Sequence, residues 1–171
     1  MIIHPIEPVF DENSRILILG SFPSVKSREE MFFYGHPQNR FWKVLAAVCE
    51  TEIPCTVDEK KRLLRSNHIA LWDVIASCEI QGSADSSIRN VVPNDLSEIL
   101  NTAKIDRIFV NGKTSEKYYK KYLLGTVGRE AVCLPSTSPA NAAWTLEKLI
   151  EAWKIIREEK FYYRENGKSG S

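Results

Sequence analysis

The residues best suited to chemistry lie between Leu19 and Trp42, where Leu-Gly-Ser-Phe-Pro-Ser is followed after a short gap by Tyr-Gly-His-Pro-Gln-Asn-Arg-Phe-Trp. An aromatic ring, a histidine, an amide and an arginine gather there just before a helical pattern. The stretch is too polar for a core and too aromatic for an idle loop, and it suits a site that holds a flat ring and an anion. Asn39, flanked by His36, Arg40 and Trp42, is either a helix cap or a fixed neutral dipole that positions a water or donates to a leaving group as charge develops. His36 can share that work as a donor, or be satisfied by a nearby backbone group. Phe33 and Tyr34 precede Gly35-His36-Pro37, where a helix does not easily continue, so at least one of the two rings is expected at the surface of a cleft. A base stacked on such a ring gains about 1 to 3 kcal/mol whatever its identity.

Three further segments carry compatible chemistry. Gly20 and the serines around it, Ser21 and Ser24, allow a sharp turn that offers N–H and O–H donors to an anion such as a phosphate, although Gly, Ser and Pro are also ordinary turn residues. In Ser136-Thr137-Ser138-Pro139-Ala140-Asn141, a serine before a proline reads as the cap of a helix with Pro at its first position, and such a helix start is a phosphate seat. Asn111, just past an apolar run, can present a donor and an acceptor to the edge of a base, or simply form a turn with Gly112. There is no Walker lysine motif, no GxGxxG after the first apolar run, no Gly-x-Ser-x-Gly elbow and no cluster of metal carboxylates. Nucleoside triphosphatases, dehydrogenases, serine hydrolases and two-metal nucleases are disfavoured accordingly.

The elements that must position these residues are legible from apolar periodicity. Ile16 to Leu19, Ile69 to Val74, Ile105 to Val110 and Ala131 to Leu134 read as buried strands. Between them, Phe41, Val44, Leu45 and Val48 mark one apolar helix face, and Asp58 to Arg65, Asp95 to Ala103, Ser115 to Leu124 and Leu146 to Lys160 supply further helices. Alternation of strands and helices predicts an α/β fold, a mostly parallel sheet covered on both faces with right-handed crossovers. In such sheets ligands bind beyond the carboxyl ends of the strands. The loops that begin at Gly20, Gly82, Asn111 and Pro135 fall at or shortly beyond those ends, and one shared site explains their small, hydrogen-bonding residues better than independent turn chemistry.

The chain has 171 residues with 43% hydrophobic content, enough for one domain with a substantial core, assigned to residues 1–164 with a polar Gly/Ser-rich tail over 165–171 expected to be disordered. No apolar run approaches the roughly 20 residues of a membrane span, and the first residues lack signal-peptide character, so a cytoplasmic protein is expected. Formal net charge is +1, so any electropositive surface must be local, with Lys26, Arg28, Arg40, Lys113 and Lys117 as candidates. Cys49, Cys55, Cys78 and Cys133 show neither disulfide-framework nor zinc spacing and are expected to be core or incidental thiols.

With these residues in hand, the chain resembles the uracil-DNA glycosylase superfamily, and within it the hypoxanthine-DNA glycosylase branch. The likeness runs from about Ile16 to Trp153 through the Gly-Ser-Phe-Pro-Ser turn, the Tyr34 to Trp42 block, Leu-Trp-Asp-Val, Gly-Ser-Ala-Asp-Ser-Ser-Ile, Phe-Val-Asn-Gly-Lys and Pro-Ser-Thr-Ser-Pro-Ala-Asn. It implies a three-layer α/β/α fold around a four-stranded, mostly parallel sheet, and hydrolysis of the N-glycosidic bond to a deaminated base flipped out of DNA, leaving an abasic site. Hypoxanthine is the base implied, with uracil and xanthine as alternatives. One departure stands out: Phe22 occupies the position where mismatch-specific and thymine-type relatives place a catalytic Asn. Catalysis is therefore assigned to Asn39, orienting water, with His36 beside it. Tyr34, Phe22 and Asn111 would receive the base, Ser21, Ser24, Ser136 and Ser138 would hold phosphates, and Pro139, Ala140 and Asn141 would fill the gap left in the duplex. Ser136-Thr137-Ser138 has no counterpart of the catalytic histidine of the uracil enzymes. A monofunctional enzyme without metal or cofactor is implied, with a monomer as the default expectation. A glycosylase of broader deaminated-base specificity, a non-catalytic lesion binder and a hydrolase of free nucleosides are the competing readings.

Overall fold

The computed structural model describes residues 1–158, so the tail expected over 165–171 lies outside the described residues. Seven strands run in the order β1 (Ile2–Ile3), β2 (Ile16–Gly20), β3 (Ile69–Asp73), β4 (Ile75–Glu79), β5 (Arg89–Pro93), β6 (Arg107–Asn111) and β7 (Val132–Leu134). The helices are α1 (Val25–Glu30), α2 (Phe41–Val48), α3 (Val57–Ser66), α4 (Ser97–Thr102), α5 (Lys113–Tyr118), α6 (Leu124–Val127) and α7 (Leu146–Trp153), with short 3-10 turns at Asp85–Ser87 and Lys154–Arg157.

Four strands form a fully parallel sheet in the order β3-β2-β6-β7. Every residue of β2 is buried, as an uninterrupted Ile-Leu-Ile-Leu run requires when both faces of the sheet are covered. The period-two alternation of a strand then sorts its side chains. Ile16 and Ile18 join Ile69, Leu71 and Phe109 on one face, under α2, α3 and α7, with Phe41, Leu64 and Trp153 as the bulk of that core. Leu17 and Leu19 join Ala70, Ile108 and Val110 on the other face, against Ile99, Tyr118 and Tyr119 from the opposite helical layer. The result is the α/β/α sandwich predicted. Phe41 and Trp153 meet edge to face, centroids 5.8 Å apart, a pairing that contributes about 0.5 to 1.5 kcal/mol beyond its buried area.

Three features depart from the sequence reading. A second, antiparallel sheet β1-β4-β5 flanks the main one. A single residue, Val74, separates its middle strand from β3. The chain turns at Val74, whose N–H donates to the Gly20 carbonyl at 2.8 Å while its carbonyl accepts from the Asn94 N–H at 2.7 Å. The buried Asn94 amide then donates to the carbonyls of Asp73 and Ile75. Secondly, the helix predicted over Ser115 to Leu124 is α5 continued by a π-helical turn, Tyr119–Leu123, before α6. The wider turn keeps Tyr118, Tyr119 and Leu123 buried together and leaves Lys120 and Lys121 in water. Thirdly, no helix begins at Pro139; α7 starts only at Leu146, capped by Thr145. No helix among the described residues is long and apolar enough to cross a membrane.

Candidate active site

Parallel register alone brings the site together. Gly20 pairs with Asp73, Leu19 with Val110, and Asn111 with Leu134, so the last residues of β3, β2, β6 and β7 form one row along the carboxyl edge of the sheet. A cleft of about 900 Å³ opens above that row, at the place where strand order reverses around β2. It is lined by all four ends and by the loops that follow them, including Phe22, Tyr34, His36, Asn39 and the 135–141 segment.

Asn39 and Asn111 approach the cleft from different elements and are joined through Thr137, a fully buried residue. Asn39 Oδ1 accepts the first free N–H of α2, from Phe41 at 2.9 Å, and also the Thr137 hydroxyl at 2.9 Å. Asn111 Nδ2 donates to Thr137 Oγ1 at 3.0 Å, and Asn111 Oδ1 accepts the Thr137 N–H at 3.1 Å. The helix-cap role and the chemical role weighed for Asn39 are therefore divided between its two ends. Its oxygen satisfies the start of α2 and is filled by two donors, whereas its Nδ2 has no partner among the described residues, and the residue lines the cleft.

Both adjacent rings foreseen beside the cleft line it, Phe33 from within the core and Tyr34 half-buried. Tyr34 takes a left-handed backbone, φ 53°, and its ring stacks on Phe41 with centroids 4.0 Å apart and planes 14° apart. Its hydroxyl is buried beside Asp73 and Asn111, close enough to feel both but with no partner in hydrogen-bonding geometry among the described residues. Burial foremost, and the negative charge of Asp73 next, push this hydroxyl far above the usual tyrosine range, and Asn111 pulls weakly the other way. Phe22 lines the other side of the cleft, with the Arg28 guanidinium 5.6 Å from its ring centroid. His36 Nδ1 accepts the Gln38 N–H at 3.1 Å, so the neutral ring carries its proton on Nε2 and is a donor there.

Asp73 and His4 form a buried pair beneath this surface that sequence reasoning did not assign. His4 Nε2 lies 2.7 Å from Asp73 Oδ2, and His4 Nδ1 accepts the Ile6 N–H at 3.2 Å. A nitrogen that accepts from a backbone amide holds no proton, so His4 donates through Nε2 and Asp73 accepts. The other carboxylate oxygen abuts Gly20: a Cβ there would stand 2.3 Å from Asp73 Oδ1 and 2.8 Å from Tyr34 Oη, so the strand end must be glycine. The signal available in sequence was an acidic residue closing an otherwise apolar strand.

The four serines foreseen as phosphate ligands all line the cleft, and three have defined local bonds. Ser24 caps α1, accepting the Ser27 N–H; Ser136 accepts the Ser138 N–H and Ser138 the Ala140 N–H, each at 3.1 Å. Pro139 and Ala140 stand exposed at the tip of their loop, while Asn141 folds back to donate to the Ser136 carbonyl at 3.0 Å. Arg40 ties this loop down. Its guanidinium binds the carbonyls of Ser138, Asn141 and Trp144, the first two of which also accept the N–H groups of Asn141 and Trp144 in successive turns. Arg40, a candidate for local positive surface in the sequence, is thus committed to holding the loop. Of the other candidates, Lys26 pairs with Glu30 and Arg28 donates to the Gly82 carbonyl. Cys49 and Cys78 are buried, Cys133 is half-buried and Cys55 is exposed; burial pushes the first three thiols up, away from reactivity.

The family described as the uracil DNA glycosylase superfamily matches residues 7–157. The chain belongs to the uracil DNA glycosylase superfamily. A protein of Methanosarcina acetivorans named hypoxanthine DNA glycosylase is 36% identical over 150 residues, 86% of this chain and 93% of its own. One of the same name from Methanosarcina barkeri is 36% identical over 137 residues, 78% of this chain and 85% of its own. A solution NMR structure of an M. acetivorans protein, named as a candidate uracil DNA glycosylase, superposes with a TM-score of 0.74 at 32% identity, covering 90% of this chain and 97% of that one. The superfamily fold foreseen from the sequence is the fold observed, and the superfamily's enzymes place this cleft in the class of DNA glycosylases.

Proposed function

We propose that this chain is a hypoxanthine-DNA glycosylase, working as a cytoplasmic monomer, and that Asn39 supplies its main catalytic contact. The observation that carries the reading is the division of Asn39: an oxygen fully occupied by Phe41 and Thr137, and an amide nitrogen free to donate into the cleft. The 36% identity to two proteins named hypoxanthine DNA glycosylase supports the choice of base.

A target base inside a duplex is out of reach, so it is first rotated out of the stack, at a cost of a few kcal/mol that is lower for a mispaired base. Pro139 and Ala140, exposed at the loop tip, occupy the space it leaves, and the serine hydroxyls around the cleft meet the flanking phosphates. The purine lies against the aromatic wall of Tyr34 and Phe22, with its edge toward Asn111. As the glycosidic bond lengthens, positive charge builds on the sugar and negative charge on the departing base. Because Asn39 Oδ1 has no lone pair left for a water proton, the role assigned to Asn39 moves from orienting water to donating through Nδ2 to the departing base. His36 Nε2 is a second donor lining the same cleft. Water then adds to the sugar, leaving an abasic site and free hypoxanthine.

The test is incubation of the purified protein with labelled duplexes carrying one deoxyinosine, deoxyuridine or deoxyxanthosine, followed by alkaline cleavage, beside Asn39→Ala. Release at inosine, reduced about 100-fold to 1,000-fold in the variant, is expected for a lost transition-state donor. Preferential cleavage at uracil would reassign the base. Tight binding to inosine DNA with no release would replace the enzyme with a lesion binder.

A further inference from the structure

We infer that Thr137 is a positioning residue that fixes the orientation of the Asn39 and Asn111 amides, so that Asn39 presents only N–H donors to the base. The inference rests on the reading of Asn39 as a group that meets the base, and it concerns a residue to which no role has been assigned. Amide orientation is often ambiguous, since oxygen and nitrogen are nearly alike in shape. Here the backbone removes the ambiguity. Phe41 N–H can only donate, so the Asn39 atom facing it is Oδ1; Thr137 N–H can only donate, so the Asn111 atom facing it is Oδ1.

With both amides oriented, the Thr137 hydroxyl has one option. Asn111 Nδ2 donates to Oγ1, so the hydroxyl proton must point away from Asn111, and the acceptor in reach is Asn39 Oδ1 at 2.9 Å. The chain therefore runs in one direction, from Asn111 Nδ2 through Thr137 Oγ1 to Asn39 Oδ1. What remains on Asn39 is its two Nδ2 protons, its oxygen being filled by Phe41 and Thr137, while Asn111 keeps one Nδ2 proton and one Oδ1 lone pair. Thr137 is fully buried and its carbonyl accepts the Arg40 N–H at 3.1 Å, so the hydroxyl is held at this point from both sides of the site.

The chemical class of ligand follows from that polarity. An Asn39 amide set as a donor receives carbonyl oxygens and unprotonated ring nitrogens, and opposes an exocyclic amine. A deaminated base carries a carbonyl where its parent carries the amine, so the hydroxyl of Thr137 acts on base choice and bond cleavage together without touching DNA.

Thr137→Val, which keeps the size but neither donates nor accepts, and Thr137→Ser, which restores the hydroxyl, are compared under single-turnover conditions on inosine duplex. For Val, the rate is expected to fall about 10-fold to 100-fold while affinity for abasic duplex stays within about threefold, and Ser is expected to recover most of the rate. Adding Thr137→Val to Asn39→Ala should cost nothing more, since the two act as one unit. If the Val variant does not fold, the unmodified protein still decides the point: the Thr137 hydroxyl proton should exchange slowly and show a nuclear Overhauser contact to Asn39, and a freely exchanging, rotating hydroxyl would overturn the inference. A folded Val variant at full rate, beside an inactive Asn39→Ala, would overturn the Thr137 role and leave the Asn39 reading intact. Full activity in Asn39→Ala would remove that reading itself.

Discussion

Tyr34 shows how a single side chain can be costly to the fold and useful to the site. Its hydroxyl is buried without a hydrogen-bond partner among the described residues, beside the negative Asp73, and its proton is held far more tightly than in an ordinary tyrosine. A buried, unsatisfied hydroxyl costs about 1 to 3 kcal/mol, so Tyr34→Phe is expected to leave stability unchanged or raise it, measured by urea denaturation at neutral pH. The sign of the pH effect follows from the same proton. The folded state keeps it at pH values where the unfolded chain, titrating near pH 10, has lost it. Folded-state stability is therefore fully present below about pH 10 and is lost as pH rises above that, and Tyr34→Phe should flatten this alkaline decline. An equal decline in both proteins would place the effect elsewhere, Tyr118 and Tyr119 being the other tyrosines that burial shifts upward. Sequence alone placed at least one of Phe33 and Tyr34 beside the cleft through the Gly-His-Pro that follows them, and both line it. It gave no hint of the orphaned hydroxyl, because Asp73 and Asn111 lie on strands far away in the chain.

At the scale of elements, the loop from Ser138 to Trp144 depends on one residue in another segment. Arg40 binds three of its carbonyls through the planar fork of its guanidinium. Arg40→Ala is expected to lower stability by about 1.5 to 3 kcal/mol and to loosen the grip on abasic duplex, and Arg40→Lys should recover little because an ammonium cannot reproduce the fork. Urea midpoints and duplex affinities measured on both variants check this; full recovery in the lysine variant would show that charge alone suffices. The same loop marks where sequence reading stops. Ser-Pro is a sound helix-start signal, but here the chain makes only tight successive turns, pinned by an arginine from far earlier in the chain, and the helix begins at Leu146. The four main strands were legible because each is an apolar run with no competing interpretation. The β1-β4-β5 sheet was not: β1 has two residues, and β4 follows β3 so closely that the turn at Val74, held by Asn94, leaves no Gly or Pro to announce it.

Across the whole molecule, the near-neutral charge sets how DNA is held. Formal net charge is +1, and several cations are already engaged: Lys26 and Lys120 pair with glutamates, and Lys117 and Lys121 lie over Tyr118 and Tyr122. Lys113 lines the cleft. Few phosphates are then neutralised, and the plot of log affinity for inosine duplex against log salt is expected to have a slope of about −2 to −3, where each neutralised phosphate contributes about −0.9. A slope steeper than about −5 would reveal a basic footprint elsewhere. The blocks that carry the site were readable because they fall at strand ends of a parallel sheet, where the architecture requires a ligand to sit. Thr137 was visible only as part of a run, since its importance lies in connecting two amides that the fold brings together.

The pair formed by His4 and Asp73 ties the condition of the cleft to the segment ahead of β2. Loss of His4 would remove nothing that lines the cleft, yet it would strip the partner from a carboxylate that is only 4% exposed. An unpaired charge at that depth costs several kcal/mol. The loss would be felt directly under Gly20 and Tyr34, so a strand-flanking segment that never enters the cleft helps to set its shape.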